Sequence, residues 1–171
     1  MKPETVIIRQ ATAADAPAIV ELWKEFMDFH KACDPALFTR ATDGHEKWAA
    51  FLSERMADAT SLVLVAQAGG HLAGYCLCGV AKRRPIFAPL EYGTICDLAV
   101  TERDRRHGIG RRLFGEAQKW FASRGIHRIQ LGVATANKAS SAFWATMGFR
   151  PCMETRFLEI RMAGDSSQTS E

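Results

Sequence analysis

The chain has 171 residues, with 22 Lys and Arg against 19 Asp and Glu, and 47% of its residues are hydrophobic. That is the size of one domain, long enough to bury roughly 70% of the surface its unfolded state exposes, so a core needs neither disulfide nor metal. The 24% charged residues, 13 Gly and 6 Pro exclude collagen-like, coiled-coil and disordered chains, and a formal charge of +3 suits an anionic ligand without marking a nucleic-acid binder.

No run reaches the ~18 apolar residues of a membrane span. The densest short one is Leu62 to Ala66, and the start, Met1 to Arg9, lacks the hydrophobic region of a signal peptide. The cytoplasm is therefore the expected compartment, with no membrane partner. Cys33, Cys76, Cys78, Cys96 and Cys152 are odd in number and without framework spacing, and read as reduced thiols. No ligand cluster has the spacing of a metal site.

In chain order, Thr5 to Gln10 is β-branched and reads as a strand. Thr12 with Asp15, then Pro17, signal a helix start. Ile19, Leu22, Trp23, Phe26 and Phe29 recur at helical spacing, and Trp48, Phe51, Leu52 and Met56 form a second stripe after Asp43 and Glu46. Leu62–Ala68 and Leu72–Ala81 flank Gly69-Gly70, a hairpin signal. Pro85 and Pro89 make Lys82 to Pro89 a loop. Tyr92–Val100 reads as a strand, and Ile109 to Phe121 as a helix ending near Gly125. His127–Val133 is a strand, Asn137 to Met147 a helix stopped by Gly148, and Phe149 to Met162 a last strand. Residues 163–171 are small and polar and read as a disordered tail on a domain of residues 1–162. The helices are too few and unevenly placed for a doubly wound nucleotide fold. The order predicts an α/β domain with one mixed sheet and helices on both faces.

The informative stretch runs from Ile95 to Leu113. A strand leads into a turn, and Arg105-x-x-Gly108-x-Gly110 opens a helix. Glycines let the backbone approach a ligand closely, and the free N–H groups at a helix start attract an anion. Arg105, Arg106, Arg111 and Arg112 add positive charge, so the turn reads as a pyrophosphate cradle. It is not a P-loop, because no G-x-x-x-x-G-K-[ST] is present. Nor is it a dinucleotide fingerprint, because Leu113 stands in place of the third glycine. The plain alternative is an ordinary helix start among solvated arginines.

At these residues the chain resembles the GNAT superfamily of acyl-CoA-dependent N-acyltransferases. Asp97 to Val100 followed by Arg105 to Gly110 is similar to the family's fourth strand and its R-x-x-G-x-G/A loop. Asn137-x-x-Ser140-x-x-Phe143-Trp144-x-x-x-Gly148-Phe149 resembles its N-x-x-A-x-x-F-Y-x-x-x-G-F helix, and Ile8 to Asp15 its first strand and turn. In element order the likeness runs from Thr5 to Arg161.

The resemblance implies a mostly antiparallel sheet whose central strands splay, with acetyl-CoA as co-substrate in the gap and a primary amine as acceptor. It implies backbone contacts from Leu98, Ala99 and Val100 to the pantetheine arm, with the Leu98 N–H polarising the thioester carbonyl. It gives the pyrophosphate to the backbone of Arg106, His107, Gly108, Ile109, Gly110 and Arg111, and places Arg105, Asn137, Ser140 and Trp144 beside the coenzyme. Asn137 also reads as a simple helix cap. Homodimers are frequent in the family.

Acyl transfer to an amine needs a base for the amine, a polarised carbonyl and a proton for the departing thiolate. Asp97 is the first candidate base, with Glu91 and Glu102 behind it. The competing reading of Asp97 is a structural carboxylate. The family commonly carries its acid, a tyrosine, where this chain has Trp144, and an indole N–H cannot protonate a thiolate at neutral pH. Either Trp144 places the sulfur while water supplies the proton, or Tyr92 or Cys96 substitutes, or catalysis has been lost. His30 and His45 sit on helices that cover the acceptor side in the family, and each reads more readily as a surface or half-buried histidine than as a catalyst. Phe26, Trp48 and Phe51 read mainly as core. Lys82 to Arg84 reads as a solvated run, or as a contact for an acidic acceptor or for coenzyme phosphates.

Two other classes compete with the enzyme: a non-catalytic acyl-CoA sensor, and a nucleic-acid module using the arginines. Against the latter, the aromatics sit at core spacing and do not interleave with the basic residues.

Overall fold

Alternation of apolar residues in the central strands dictates the architecture. In a computed structural model, which describes residues 5–160, the even positions Leu62, Leu64, Ala66, Cys76 and Cys78 pack on one face of the sheet. The odd positions Val63, Val65, Tyr75 and Leu77 pack on the other. A sheet apolar on both faces needs a layer on each.

The elements are β1 (Ile7–Gln10), α1 (Ala16–Cys33), α2 (Pro35–Phe38), α3 (Gly44–Ala57), β2 (Ser61–Ala68), β3 (His71–Lys82), β4 (Glu91–Val100), α4 (Ile109–Ser123), β5 (Ile129–Leu131) and α5 (Lys138–Thr146). The strands lie in chain order in a single five-stranded sheet. The pairs β1–β2, β2–β3 and β3–β4 are antiparallel, and β4–β5 is parallel. Helices α1 and α3 cover one face through Ile19, Leu22, Trp23 and Leu52. Helix α4 covers the other through Ile109, Leu113, Phe114, Ala117 and Phe121, joined by Trp144 of α5.

Two irregularities position the site. Leu77 pairs with Asp97 but Cys78 pairs with Ile95, so Cys96 is an extra residue in β4. This bulge reverses the alternation: Ile95 faces the α4 layer, while Ala99, an even four residues along the chain but three pairs further on, faces the α1–α3 layer. The parallel ladder between β4 and β5 covers only Gly93 to Ile95. Beyond Ile95 the two strands separate, which is the splay the resemblance implies.

The expected last strand, Phe149 to Met162, is not formed over its described part; residues 161 and 162 lie outside the described residues. Residues 150–160 have no regular structure and every one is exposed. Extended propensity in this stretch finds no ladder among the described residues, and propensity alone does not make a strand. The predicted tail, residues 163–171, lies outside the described residues. The expected hairpin at Gly69-Gly70 is present, with both glycines at positive φ. No helix among the described residues is long and apolar enough to cross a membrane.

Candidate active site

The separating strands open a cleft of about 570 Å³. Its walls are β4 from Ile95 to Val100 with Thr101 after it, the end of β5 and the residues just beyond, the start of α4, α5, and the flank of α1. Of the residues singled out in the sequence, Asp97, Leu98, Ala99, Val100, Arg105, Arg106, Gly108, Ile109, Gly110, Arg111, Asn137, Ser140 and Trp144 all line it. His107 does not: it is exposed, and its ring Nδ1 lies 3.3 Å from the Asp104 carbonyl.

The glycine turn is built as an array of donors. Gly108, the cap of α4, has φ +78°, and Arg106 two residues earlier has φ +68°. Alternating left-handed residues with helical ones turns successive N–H groups to the same side, forming an anion nest. Among the described residues, no backbone or side-chain acceptor takes the N–H of any residue from Arg106 to Arg111, and the first taken is that of Arg112, by the Gly108 carbonyl. Gly110 is needed for closeness: a Cβ there would lie 3.3 Å from Phe143 and 3.4 Å from Leu98.

The turn is braced by Asp104, which accepts from the Thr101 hydroxyl at 2.6 Å, the His71 ring at 2.9 Å and Arg103 at 3.3 Å. Burial pushes the Asp104 carboxyl up, but these donors outweigh it and the net shift is downward. Arg105 donates to the Val100 carbonyl at 3.1 Å and lies over the Phe29 ring at 5.2 Å. Arg112, counted with the cradle from sequence, points elsewhere and donates to the Val6 carbonyl at 2.8 Å.

Asp97 is half-buried and lines the cleft. It accepts from the Tyr75 hydroxyl at 3.3 Å and takes part in no ion pair among the described residues. The Trp48 indole is near enough to the same carboxylate to pull it down as a donor. Trp48 itself is held by stacking on Trp23, ring centres 4.9 Å apart, and by its edge contact with Tyr75 at 5.9 Å. Burial pushes Asp97 up to about 6, against smaller downward pulls from Tyr75 and Trp48. Glu91 and Glu102, the weaker candidate bases, do not line the cleft: Glu91 faces Lys82 at 3.7 Å, and Glu102 gives its N–H to Glu25.

Trp144 lines the cleft but is 7% exposed, wedged among Phe114, Phe143 and Phe149 with ring centres 5.4, 4.9 and 5.2 Å away. Tyr92 lies outside the cleft, beneath Arg83. Cys96 lines it, with its thiol pushed up to about 11 by burial and then by the Asp97 charge. Asn137 is buried, and its side-chain oxygen caps α5 by accepting from the Ser140 N–H at 2.9 Å. Its amide nitrogen is left for the cleft, so cap and lining are compatible.

The α1 wall brings in residues that carried no motif. Phe26, Phe29 and His30 line the cleft, and the His30 ring packs 4.2 Å from Phe26. His45 sits apart, in a separate small cavity with Lys24, Lys31 and Arg40. Tyr75, the partner of Asp97, was legible only as an apolar strand residue. Among the described residues no group of three or more His, Cys, Asp or Glu could hold a metal ion.

This arrangement has counterparts. The family model described as "Acetyltransferase (GNAT) family" matches residues 20–149. The chain belongs to that acetyltransferase family. It is 26% identical over 147 residues to an uncharacterized N-acetyltransferase, YhfO, of Bacillus subtilis (strain 168), covering 83% of this chain and 88% of that one. In fold it is similar to the tetramutant of the BH1408 protein from Bacillus halodurans, with TM-score 0.76 and 23% identity over 90% of this chain and 99% of the other. It is also similar to aminoglycoside N-acetyltransferase AAC(6')-Iy in complex with CoA, with TM-score 0.72 and 17% identity over 94% and 98% of the two chains.

Proposed function

We propose that the protein transfers an acetyl group from acetyl-CoA to a primary amine, directly, in a ternary complex. The observation that carries this reading is the row of unpaired N–H groups from Arg106 to Arg111 at the mouth of a cleft that Asp97 also faces. The nest takes the diphosphate, with Arg105, Arg106 and Arg111 adding charge. The pantetheine arm follows the open side of β4 at Leu98, Ala99 and Val100, with Asn137, Ser140 and Trp144 across from it.

The Leu98 N–H donates to the thioester carbonyl as charge develops on its oxygen. The amine nitrogen attacks the carbonyl carbon, the C–N bond forms and the C–S bond breaks. Asp97 takes the proton from nitrogen, directly or through a water, and the departing thiolate takes one from water while Trp144 fixes its place. Asp97 suits the base role because its raised pKa of about 6 leaves it ionised near neutrality yet basic enough to accept a proton.

Incubation with acetyl-CoA and a panel of amines, reading release of free thiol, tests this. Acceptor-dependent release is expected with at least one amine. A second reading, an acyl-CoA sensor without turnover, is favoured by Trp144 in its closed aromatic packing. It predicts tight coenzyme binding and no thiol release with any amine.

A further inference from the structure

The cleft opens on both faces of the sheet, and in the proposed function the coenzyme takes the side of α4 and α5. The amine then enters from the side of α1. Asp97 faces that way: it pairs with Leu77, whose side chain packs in the α1–α3 layer, and neighbouring strands share their faces pair by pair.

On this side the wall is aromatic. Helix α1 puts Phe26, Phe29 and His30 into the cleft, three and four residues apart and so on one flank. The His30 Nδ1 lies 2.9 Å from the Phe26 carbonyl; a carbonyl only accepts, so Nδ1 donates and the ring is held in place. That ring packs 4.2 Å from Phe26, 5.9 Å from Phe29 and 4.9 Å from Phe38. Phe29 remains 36% exposed, a flat apolar surface left uncovered beside the cleft. Tyr75 and Trp48 lie against Asp97 itself.

Charge narrows the acceptor further. One with several ammonium groups needs several free carboxylates. Besides Asp97, those in the cleft are Glu25 and Asp104. Asp104 is taken up by Thr101, His71 and Arg103, and Glu25 accepts the Glu102 N–H at 2.9 Å. Arg105 lies over Phe29 at 5.2 Å, so a second ammonium on this wall meets like charge.

We propose that the acceptor is an arylalkylamine, with one primary amino group on a short chain and a flat apolar ring that packs on Phe26, Phe29 and His30 while the nitrogen meets Asp97. This rests on the proposed function, since it names the acceptor of that reaction.

The test is kcat/KM by thiol release at saturating acetyl-CoA. Benzylamine, 2-phenylethylamine and 3-phenylpropylamine are compared with ethylamine and spermidine. The best aryl amine is expected to exceed ethylamine at least about 30-fold, the worth of burying one phenyl group, and spermidine by at least as much. In Phe29→Ala and in Phe26→Leu the ratio of that amine to ethylamine is expected to fall at least about 5-fold, through the KM for the amine. The ratio is taken within each variant, so a loss of folded protein does not move it. Ethylamine or spermidine turned over as well as the aryl amines overturns this proposal and leaves acetyl transfer standing. So does a ratio that neither variant changes. No thiol release with any amine overturns it together with the proposed function.

Discussion

The Tyr75 hydroxyl donates to the Asp97 carboxylate over 3.3 Å, across the two strands that hold them. Tyr75 is in the core, and burial, followed by the Asp97 charge, raises its own pKa well above the ordinary value, so it donates and never competes as an anion. Its bond to Asp97 favours the ionised carboxylate. Tyr75→Phe should therefore raise the acid limb of the kcat/KM profile above its wild-type midpoint near 6. The KM for acetyl-CoA should stay within about twofold, since Tyr75 touches no part of the nest. An unmoved midpoint in a folded Tyr75→Phe protein contradicts the relationship.

Asp97 costs stability at the position where the proposed mechanism places the base. Its folded pKa of about 6 lies above the ~3.9 of an unfolded aspartate. The unfolded chain thus gives up its proton first as pH rises. No penalty exists below about pH 4, it grows through the window from 4 to 6, and it is complete above. Asp97→Asn should therefore stabilise the fold at pH 7.5 by about 1–2 kcal/mol, after allowance for the side open to the cleft. It should leave stability at pH 3.5 nearly unchanged and lower kcat by at least about 100-fold. Thermal melts at both pH values, with thiol-release kinetics, check all three.

Asp15 works with the opposite sign. Arg9 grips it with two bonds of 2.7 and 2.8 Å, and the Thr12 N–H adds a third at 2.7 Å. The Arg9 guanidinium first, and Thr12 after it, hold this carboxyl well below the usual carboxylate range. The contribution is present above the unfolded pKa near 4 and is lost as pH falls below it. Asp15→Ala should cost about 1–2 kcal/mol at pH 7 and less at pH 3, read from urea midpoints.

Gly108 and Gly110 should fail differently from core glycines. A Cβ on Gly108 meets nothing within 4 Å, so Gly108→Ala is opposed by its φ of +78° alone, at about 1 kcal/mol. Gly110→Val instead crowds Phe143 and Leu98 and blocks the approach to the N–H row. Gly110→Val is expected to raise the KM for acetyl-CoA at least about 10-fold while the protein stays folded by circular dichroism.

Trp144→Tyr separates placement from loss of function. The smaller ring loosens the cluster with Phe114, Phe143 and Phe149 and should lower stability by about 1–2 kcal/mol. Turnover should be at least that of wild type, since the phenol restores a donor able to release a proton. A collapse of kcat with acetyl-CoA affinity intact contradicts the placement role.

Much of this was legible because it is local. The glycine turn, the Asn137 cap and the helical stripes of α1 and α4 are set by neighbours in sequence. What was not legible depends on distant pairing. The bulge at Cys96 shifts the register of β4 against β3, so no periodicity could bring Tyr75 to Asp97. Arg112 belongs to the arginine cluster by sequence but reaches the β1 end of the chain instead. The segment after Phe149 has the composition of a strand, yet a strand also needs a neighbour, and composition says nothing about where that neighbour is.

The central physical claim is that the backbone nest from Arg106 to Arg111 grips the coenzyme's diphosphate in the gap between β4 and β5. Calorimetric titration of acetyl-CoA beside S-acetylpantetheine, which lacks the diphosphate, tests it most directly. Acetyl-CoA is expected to bind one per chain and at least about 100-fold more tightly than the truncated thioester. Equal affinity for the two, or no heat with acetyl-CoA, would contradict the account.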